Sequence, residues 1–182
     1  ATVALARATL ESLLLHDGSL AEWYAESGER DALRARAGAF VTLNNKGVKV
    51  GAPGRLRACM GLIEAGQPLN DAVVLAAVWA SQDPRFPHLK AEELQRLEVE
   101  VSVLSPARRV AGPEVIEVGK HGVILEKGSH RAVFLPHVAT EQGWDRQTML
   151  EQLSRKAGLP ADGWREGAYF NVFTTQIFGE HR

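Results

Sequence analysis

The chemistry that this sequence could perform centres on its single cysteine, Cys59, and on Arg57, two residues before it. Residues 55–62 alternate as a strand should, because successive side chains of a strand point to opposite faces. One face would carry Arg55, Arg57 and Cys59, and the other would carry the apolar row Leu56, Ala58, Met60 and Leu62. A nearby guanidinium favours the thiolate, which is the nucleophilic form. An unpaired cysteine is otherwise a small buried apolar residue, and both interpretations stay open.

The composition limits the class of protein. The chain has 182 residues, of which 45% are hydrophobic and 24% charged, with a net charge of −1, as in ordinary globular proteins. One cysteine excludes an intramolecular disulfide and fits a reducing compartment. The N-terminus shows no secretory pattern, and the apolar stretch 72–80 is far shorter than the roughly 20 residues of a membrane span. We expect a cytoplasmic protein that binds neither nucleic acid nor membrane.

Helices and strands alternate without a regular βαβ repeat, which predicts an antiparallel α+β fold with helices packed on the sheet. We predict a main lobe at about 1–105 plus C-terminal segments, and a smaller second lobe at about 112–140. The predicted helices are 2–15, 70–82 and 145–157, and the predicted strands are 38–43, 55–62, 97–104, 115–118, 122–125, 130–135 and 169–178.

The alternation also predicts how these elements pack. The 39–62 hairpin and the 97–104 strand should share one sheet, with the 70–82 helix on its apolar face. The main core would then contain Leu56, Met60, Val99 and Val101 together with alanines and valines of that helix. A slip of one residue in register would bury Arg57, at a cost of several kcal/mol. Cys59 should therefore face away from the core.

Familiar catalytic and metal-binding motifs are absent from the sequence. There is no nucleophile elbow, no Walker loop and no H-E-x-x-H, and the six histidines show no short metal-ligand spacing. A single cysteine excludes the usual zinc signature, so we predict no metal and no cofactor. His121 lies in a glycine-flanked turn, between Gly119 and Gly122, that could present its side chain at the rim of a site.

Several motifs in a fixed order give the chain a specific resemblance. They are Phe40-Val41-Thr42-Leu43, Leu56-Arg57-Ala58-Cys59-Met60-Gly61, Asp83-Pro84-Arg85-Phe86, Val101-Ser102-Val103-Leu104, Gly119-Lys120-His121-Gly122, Phe134-Leu135-Pro136 and Lys156-Ala157-Gly158-Leu159. Over residues 3–178 the chain resembles the AMMECR domain family, called AmmeMemoRadiSam system protein A in prokaryotes. The resemblance implies a single α+β domain over residues 1–182, with two unequal lobes. It also implies a genomic association with a Memo-type protein and a radical S-adenosylmethionine protein, but no settled reaction.

The chain departs from the family pattern at a few positions. The hallmark Leu-Arg-Gly-Cys-Ile-Gly is changed at Ala58 and Met60, and alanine at position 58 implies that the backbone there does not need a positive φ. His88 stands where the family leads us to expect proline, and His137 where we expect an amide such as glutamine. Both histidines could add chemistry or be tolerated surface changes.

Two functions are open at this point. In the first, the chain is a cysteine-centred enzyme, or a component of one, acting on a small molecule or partner protein. Cys59 would be its nucleophile, Arg57 would stabilise the thiolate or an anionic substrate, and His121 would transfer a proton. In the second, the same groove serves a non-catalytic binding or adaptor domain. The second lobe would place His121 and His137 across that groove from Cys59.

The remaining candidate binding residues are Asp83, Arg85, Phe86, Glu100 and His137. Each has a structural alternative. Arg57 could pair with a glutamate on a neighbouring strand, Glu98 or Glu100, and a carboxylate facing Arg57 would be a poor base because its pKa would be lowered. Asp83 could simply terminate the second helix, and Arg85 and Phe86 could line a cleft or pin the loop to the sheet.

Overall fold

The computed structural model describes residues 1–27 and 31–180 of the chain. The chain divides into two compact units, Ala1–Leu104 with Gln176–Arg182, and Ser105–Thr175. Each unit has its own four-stranded sheet. Every strand pairing whose register is given is antiparallel, which confirms the α+β prediction. Among the described residues, every helix is too short or too polar to span a bilayer.

The elements follow one another in this order: α1 Thr2–Leu15, α2 Ser19–Ser27, α3 Asp31–Arg34, β1 Gly38–Asn45, β2 Leu56–Leu62, α4 Leu69–Ser81, a 3₁₀ helix Ala91–Arg96, β3 Leu97–Leu104, β4 Arg108–Val110, a 3₁₀ helix Pro113–Val115, β5 Gly122–Lys127, β6 His130–Phe134, α5 Pro136–Gln142, α6 Arg146–Lys156, β7 Tyr169–Phe173 and β8 Thr175–Gly179. The sheet of the first unit has the order β2-β1-β3-β8, and the sheet of the second has the order β4-β7-β5-β6.

Strand β1 lies between β2 and β3 and sets the register of the first sheet. Thr42 of β1 is opposite Cys59 of β2 on one side and Glu100 of β3 on the other. The next residue, Val41, is opposite Met60 and Val101. These pairings confirm that the 39–62 hairpin and the 97–104 strand share one sheet. Because side chains alternate, Cys59, Thr42 and Glu100 form a row on the face opposite the valine row.

The core of the first unit forms where α1 and α4 pack on the valine face of the sheet. Val99 and Val101 are buried there, and Met60 is half-buried against the same core, as predicted. Leu56 was expected in the core but is 36% exposed. It is the first residue of an edge strand, where no further strand covers it, and this explains the error.

A half-buried ion pair holds the residue that follows β8 against α1. The Arg7 guanidinium of α1 binds the carboxylate of Glu180 and also donates to the Leu97 carbonyl over 2.8 Å. The Glu180 carboxylate in turn accepts a hydrogen bond of 3.0 Å from the Val99 amide. Burial alone would raise the pKa of Glu180, but these hydrogen bonds and the charge of Arg7 lower it.

In the second unit, α5 and α6 accompany a sheet whose core side carries residues such as Val123, Leu125 and Val172. Helix α6 begins where expected, because the Asp145 side chain accepts a hydrogen bond of 2.7 Å from the Thr148 amide. Helix α5 was not predicted, although Pro136 occupies its first turn.

Two predicted strands differ from the structure. Residues 115–118 were predicted to be a strand, but Pro113–Val115 form a 3₁₀ helix and the following residues are irregular. Residues 169–178 were predicted as one strand, but the chain leaves the second sheet after Phe173 and joins the first at Thr175. The second unit also contains β4, α6 and β7, so it is longer than the lobe predicted at 112–140. That the two units form one domain stays a prediction.

Candidate functional site

Cys59 lies in the middle of β2, at the edge of the first sheet. Its Sγ is 3.3 Å from Oγ1 of Thr42, the residue opposite it on β1. Burial raises the pKa of the thiol. The Thr42 contact and the positive charge of Arg85 lower that pKa, while the negative charges of Asp83 and Glu100 raise it further. The net shift is upward, so Cys59 is a protonated thiol at neutral pH.

The backbone of Cys59 is held by side chains that follow α4. In antiparallel pairing, alternate residues of an edge strand direct their N–H and C=O away from the sheet. Asp83 Oδ2 accepts a hydrogen bond of 3.0 Å from the Cys59 amide, and Arg85 Nη2 donates one of 3.1 Å to the Cys59 carbonyl. The two side chains thus stand where the next strand would lie and satisfy both groups.

Asp83 and Arg85 also bind each other in a two-point ion pair. Nη2 of Arg85 is 2.8 Å from Oδ2 of Asp83, and Nε is 3.1 Å from Oδ1, which also accepts from the Arg85 amide at 3.0 Å. Asp83 is 1% exposed. Burial alone would raise its pKa, but the hydrogen bonds from Arg85 and Cys59 together lower it to about 2. Asp83 is therefore ionised throughout the physiological range.

The side chains of Asp83 and Arg85 differ in their exposure to solvent. Asp83 is enclosed, whereas the Arg85 side chain is 55% exposed and its guanidinium carbon lies 5.5 Å from the centre of the Phe86 ring. Asp83 lies just after the end of α4, which agrees with the alternative that it terminates this helix. Its carboxylate also binds the Cys59 amide and Arg85. The sequence did not reveal this role, because the contact joins residues 24 positions apart.

Close packing against β1 explains why residue 61, two positions after Cys59, is glycine. A Cβ atom there would lie 2.2 Å from the Ala39 carbonyl oxygen and 2.6 Å from the Phe40 ring. Only glycine fits in this place, because the Phe40 ring approaches the backbone of the neighbouring strand. Ala58, by contrast, is fully buried and is not among the residues with positive φ, which confirms the expectation for that position.

Arg57 is held away from a direct role at the thiol. Its Nε and Nη2 bind the two carboxylate oxygens of Glu93 at 2.7 and 3.0 Å, and Nη2 also donates to the Pro87 carbonyl at 3.0 Å. A glutamate partner was one of the predicted alternatives, but Glu93 precedes β3, and Glu98 binds Arg55 instead. The positive charge that acts on the thiol comes from Arg85, not from Arg57.

Comparison with known proteins identifies the family. The AMMECR1 family model matches residues 3–178. The chain belongs to the AMMECR1 family. A Pyrococcus furiosus protein is 43% identical over 152 residues, which cover 80% of this chain and 71% of that protein. A Methanothermobacter thermautotrophicus protein is 45% identical over 158 residues, covering 82% of this chain and 79% of that protein.

A solved structure from the same family supports the fold. The crystal structure of an uncharacterized protein from Pyrococcus horikoshii has 37% sequence identity and a TM-score of 0.84, and the match covers 98% of this chain and 89% of that one. The resemblance stated from the sequence motifs is therefore confirmed.

The remaining candidates of this AMMECR1-family chain are divided between the two units. Glu100 shares the row of Cys59 and Thr42 on the first sheet. His121 and His137 belong to the second unit. His121 is buried, whereas His137 is half-buried in the first turn of α5. Their predicted place across a groove from Cys59 stays a prediction, and His88 is exposed.

Within residues 1–27 and 31–180, no three side chains of the His, Cys, Asp and Glu types come together in a way that could hold a metal ion. The arrangement at Cys59 instead offers a guanidinium, a neutral thiol and a hydroxyl at one sheet edge. These groups are suited to binding an oxyanion or a carbonyl oxygen.

Proposed function

We propose that this chain is a binding component of an enzyme system, and that the surface at Cys59 and Arg85 holds an anionic group of a small molecule or partner protein. The observation that carries the proposal is the difference in solvent exposure between the two side chains of the Asp83–Arg85 ion pair. Asp83 is buried and fixes Arg85 at two points, yet 55% of the Arg85 side chain is exposed. Arg85 Nη1 makes no hydrogen bond to any described residue. A guanidinium that is fixed in place and keeps both Nη1 protons available suits an oxygen of a carboxylate or phosphate.

The state of the thiol supports binding over catalysis. A nucleophilic cysteine needs a lowered pKa or an adjacent base, whereas burial raises the pKa of Cys59. In the binding role, Cys59 and Thr42 provide a small polar surface beside Arg85. The proposed partners are a Memo-type protein and a radical S-adenosylmethionine protein, and their support is the genomic association that the family resemblance implies.

A cysteine-centred enzyme is the second candidate, because Glu100 lies in the same row as Thr42 and Cys59. In this role Glu100 would take the thiol proton as Cys59 Sγ adds to a carbonyl carbon. The carbonyl π electrons would move to its oxygen, and Arg85 would stabilise the resulting oxyanion. This step needs a substrate that offsets the raised pKa of the thiol.

Partner binding by two variants separates the candidates. The full chain, Arg85→Lys and Cys59→Ser would be titrated against the Memo-type and radical S-adenosylmethionine proteins of the same genome. Lysine keeps the charge beside Asp83 but lacks the fork, so we expect Arg85→Lys to weaken binding about tenfold. Cys59→Ser should bind nearly as well as the original chain. Equal binding by Arg85→Lys and the original chain would contradict the proposal.

The rate of Cys59 alkylation against pH tests the second candidate in the same proteins. A binding role predicts an apparent pKa above the value of about 8.5 for a free cysteine. An apparent pKa below that value, together with loss of function but retained partner binding in Cys59→Ser, would favour the enzyme.

A further inference from the structure

His121 of the second unit carries a hydrogen-bond donor that the fold does not use. The residue is 6% exposed, and its Nδ1 accepts a hydrogen bond of 3.0 Å from the Glu117 amide. An accepting nitrogen carries no proton, so in the neutral imidazole the proton sits on Nε2. Within the described part of the chain, Nε2 has no hydrogen-bond acceptor. It is also not among the fully enclosed unpaired polar atoms there, so this donor reaches the surface.

The turn that holds His121 is fixed by its backbone. The amides of Lys120 and His121 both donate to the Glu117 carbonyl, at 3.2 and 3.0 Å. Gly119 has a φ of +88°, which a residue with a side chain rarely adopts. The imidazole is therefore held at both its backbone and its Nδ1, and the direction of Nε2–H is set before any ligand arrives.

Two cations lie near this turn: Lys120 is the residue before His121, and Arg108 of β4 is opposite Val172 of β7, which is opposite Val123 of β5, two residues after His121. Burial lowers the pKa of His121, and the positive charges of Lys120 and Arg108 lower it as well, while Glu117 raises it. Lys120 pairs with Glu117 at 2.9 Å, but both side chains are about three-fifths exposed, so this contact is weak and can exchange. No hydrogen bond or ion pair joins the Arg108 side chain to another residue that the structure describes.

We propose that His121 Nε2–H, Lys120 and Arg108 form an oxyanion-binding site in the second unit, and that its ligand is a phosphate group. A neutral imidazole donates one hydrogen bond without needing a proton from solvent, and Arg108, together with Lys120 when it exchanges from Glu117, supplies positive charge to an anion. The same geometry makes His121 a poor proton acceptor, because one nitrogen is protonated and the lone pair of the other is occupied. None of these three residues belongs to the binding surface at Cys59, which is built from the first unit.

The chain offers a matched control for this site. Arg109 is the neighbour of Arg108, but its guanidinium lies 3.6 Å from the Glu126 carboxylate and 4.3 Å from the centre of the Tyr169 ring. Arg108→Gln and Arg109→Gln remove the same charge from adjacent surface positions. Only the first removes a cation of the proposed site.

The experiment follows the ring nitrogens of His121 by NMR in the ¹⁵N-labelled full chain at pH 7.5, while inorganic phosphate replaces chloride at constant ionic strength. We expect a protonated Nε2 that shifts saturably with phosphate. Arg108→Gln should weaken this binding about tenfold, and Arg109→Gln should change it less than about twofold.

Three results would overturn the proposal. One is a proton on Nδ1 instead of Nε2 in the free protein. The second is a shift that does not saturate, or that weakens equally in the two arginine variants, because diffuse surface charge would then explain it. The third is an equal response to acetate, which would replace the phosphate assignment by a carboxylate. None of these results depends on Cys59 or Arg85, so this site and the proposed function fail separately.

Discussion

Replacing Asp83 by asparagine tests the ion pair that completes the edge of β2. The pKa of Asp83 falls from 3.8 to about 2 in the folded protein. Each factor of ten in an acid constant corresponds to about 1.36 kcal/mol, so the carboxylate contributes about 2.5 kcal/mol to the free energy of unfolding at neutral pH. Asparagine keeps the size of the side chain but loses this charge. We expect Asp83→Asn to lower the free energy of unfolding by about 2–3 kcal/mol at pH 7.

The pH dependence of this loss has a definite sign. The folded-state pKa lies below the unfolded one, so the contribution is complete above the unfolded pKa and disappears as the pH falls toward 2. The difference between the two proteins should therefore shrink to about half or less at pH 3. Urea unfolding followed by circular dichroism at pH 7 and pH 3 measures it. Hydrogen exchange of the Cys59 amide, which donates to Asp83, should be faster in the variant.

Asp71→Asn provides the control, because Asp71 is exposed in the first turn of α4. Its loss should stay below about 1 kcal/mol, the usual value for a carboxylate near a helix N-terminus. A loss below about 1 kcal/mol for Asp83→Asn at pH 7, or an equal loss at pH 3, would refute the assignment of a buried, ionised carboxylate.

Three further substitutions test other parts of the first unit. Gly61→Ala should lower the free energy of unfolding in urea by about 3 kcal/mol, because the added Cβ would meet the neighbouring backbone. Gly66→Ala is the control and should cost far less, because the space around Gly66 is open. Equal losses in the two variants would contradict the steric argument. Glu180→Gln should lower stability by about 2 kcal/mol and speed hydrogen exchange of the Val99 amide, which it accepts from; unchanged exchange would show that the ion pair does not hold this segment. Arg57→Gln should lower stability by about 1–2 kcal/mol yet leave the alkylation rate of Cys59 unchanged. Slower alkylation would show that the Arg57 charge does act on the thiol.

The alternation of residues 55–62 was sufficient to predict the face of Cys59. A strict period of two leaves one register in which the apolar row is buried, and β1 pairs accordingly with β2 and β3. The composition of 70–82 likewise predicted a helix against that apolar face. These features depend on local spacing, and local spacing is what a sequence shows directly.

The groups that determine the chemistry of the site depend on longer-range geometry. Asp83 and Arg85 reach Cys59 only because α4 ends where it does and the chain turns back toward the strand edge. The partner of Arg57 is Glu93 for a similar reason, since the 3₁₀ helix before β3 brings the carboxylate close. Burial also reversed the expected direction of the pKa of Cys59, and burial is not readable from neighbouring charges in the sequence.

The strand break near residue 174 was also beyond the reach of local patterns. Residues 169–178 form one stretch rich in aromatic and β-branched residues, without glycine or proline to mark an end. The division arises because the two halves find different neighbours: β7 pairs with β4 and β5, and β8 joins β3. Such a change of pairing partner is determined by tertiary structure, which local sequence patterns do not show.

That break has a consequence for how the chain is made. Domains generally fold from the N-terminus as the ribosome releases them, but the first unit needs β8 to cover the outer edge of β3. The unit that is synthesised first is therefore completed last, after the whole second unit has emerged. Until then β3 presents an unpaired edge of the kind that favours aggregation between chains. Synthesis that stalls before residue 175 would leave a nascent chain with a strong need for chaperone protection.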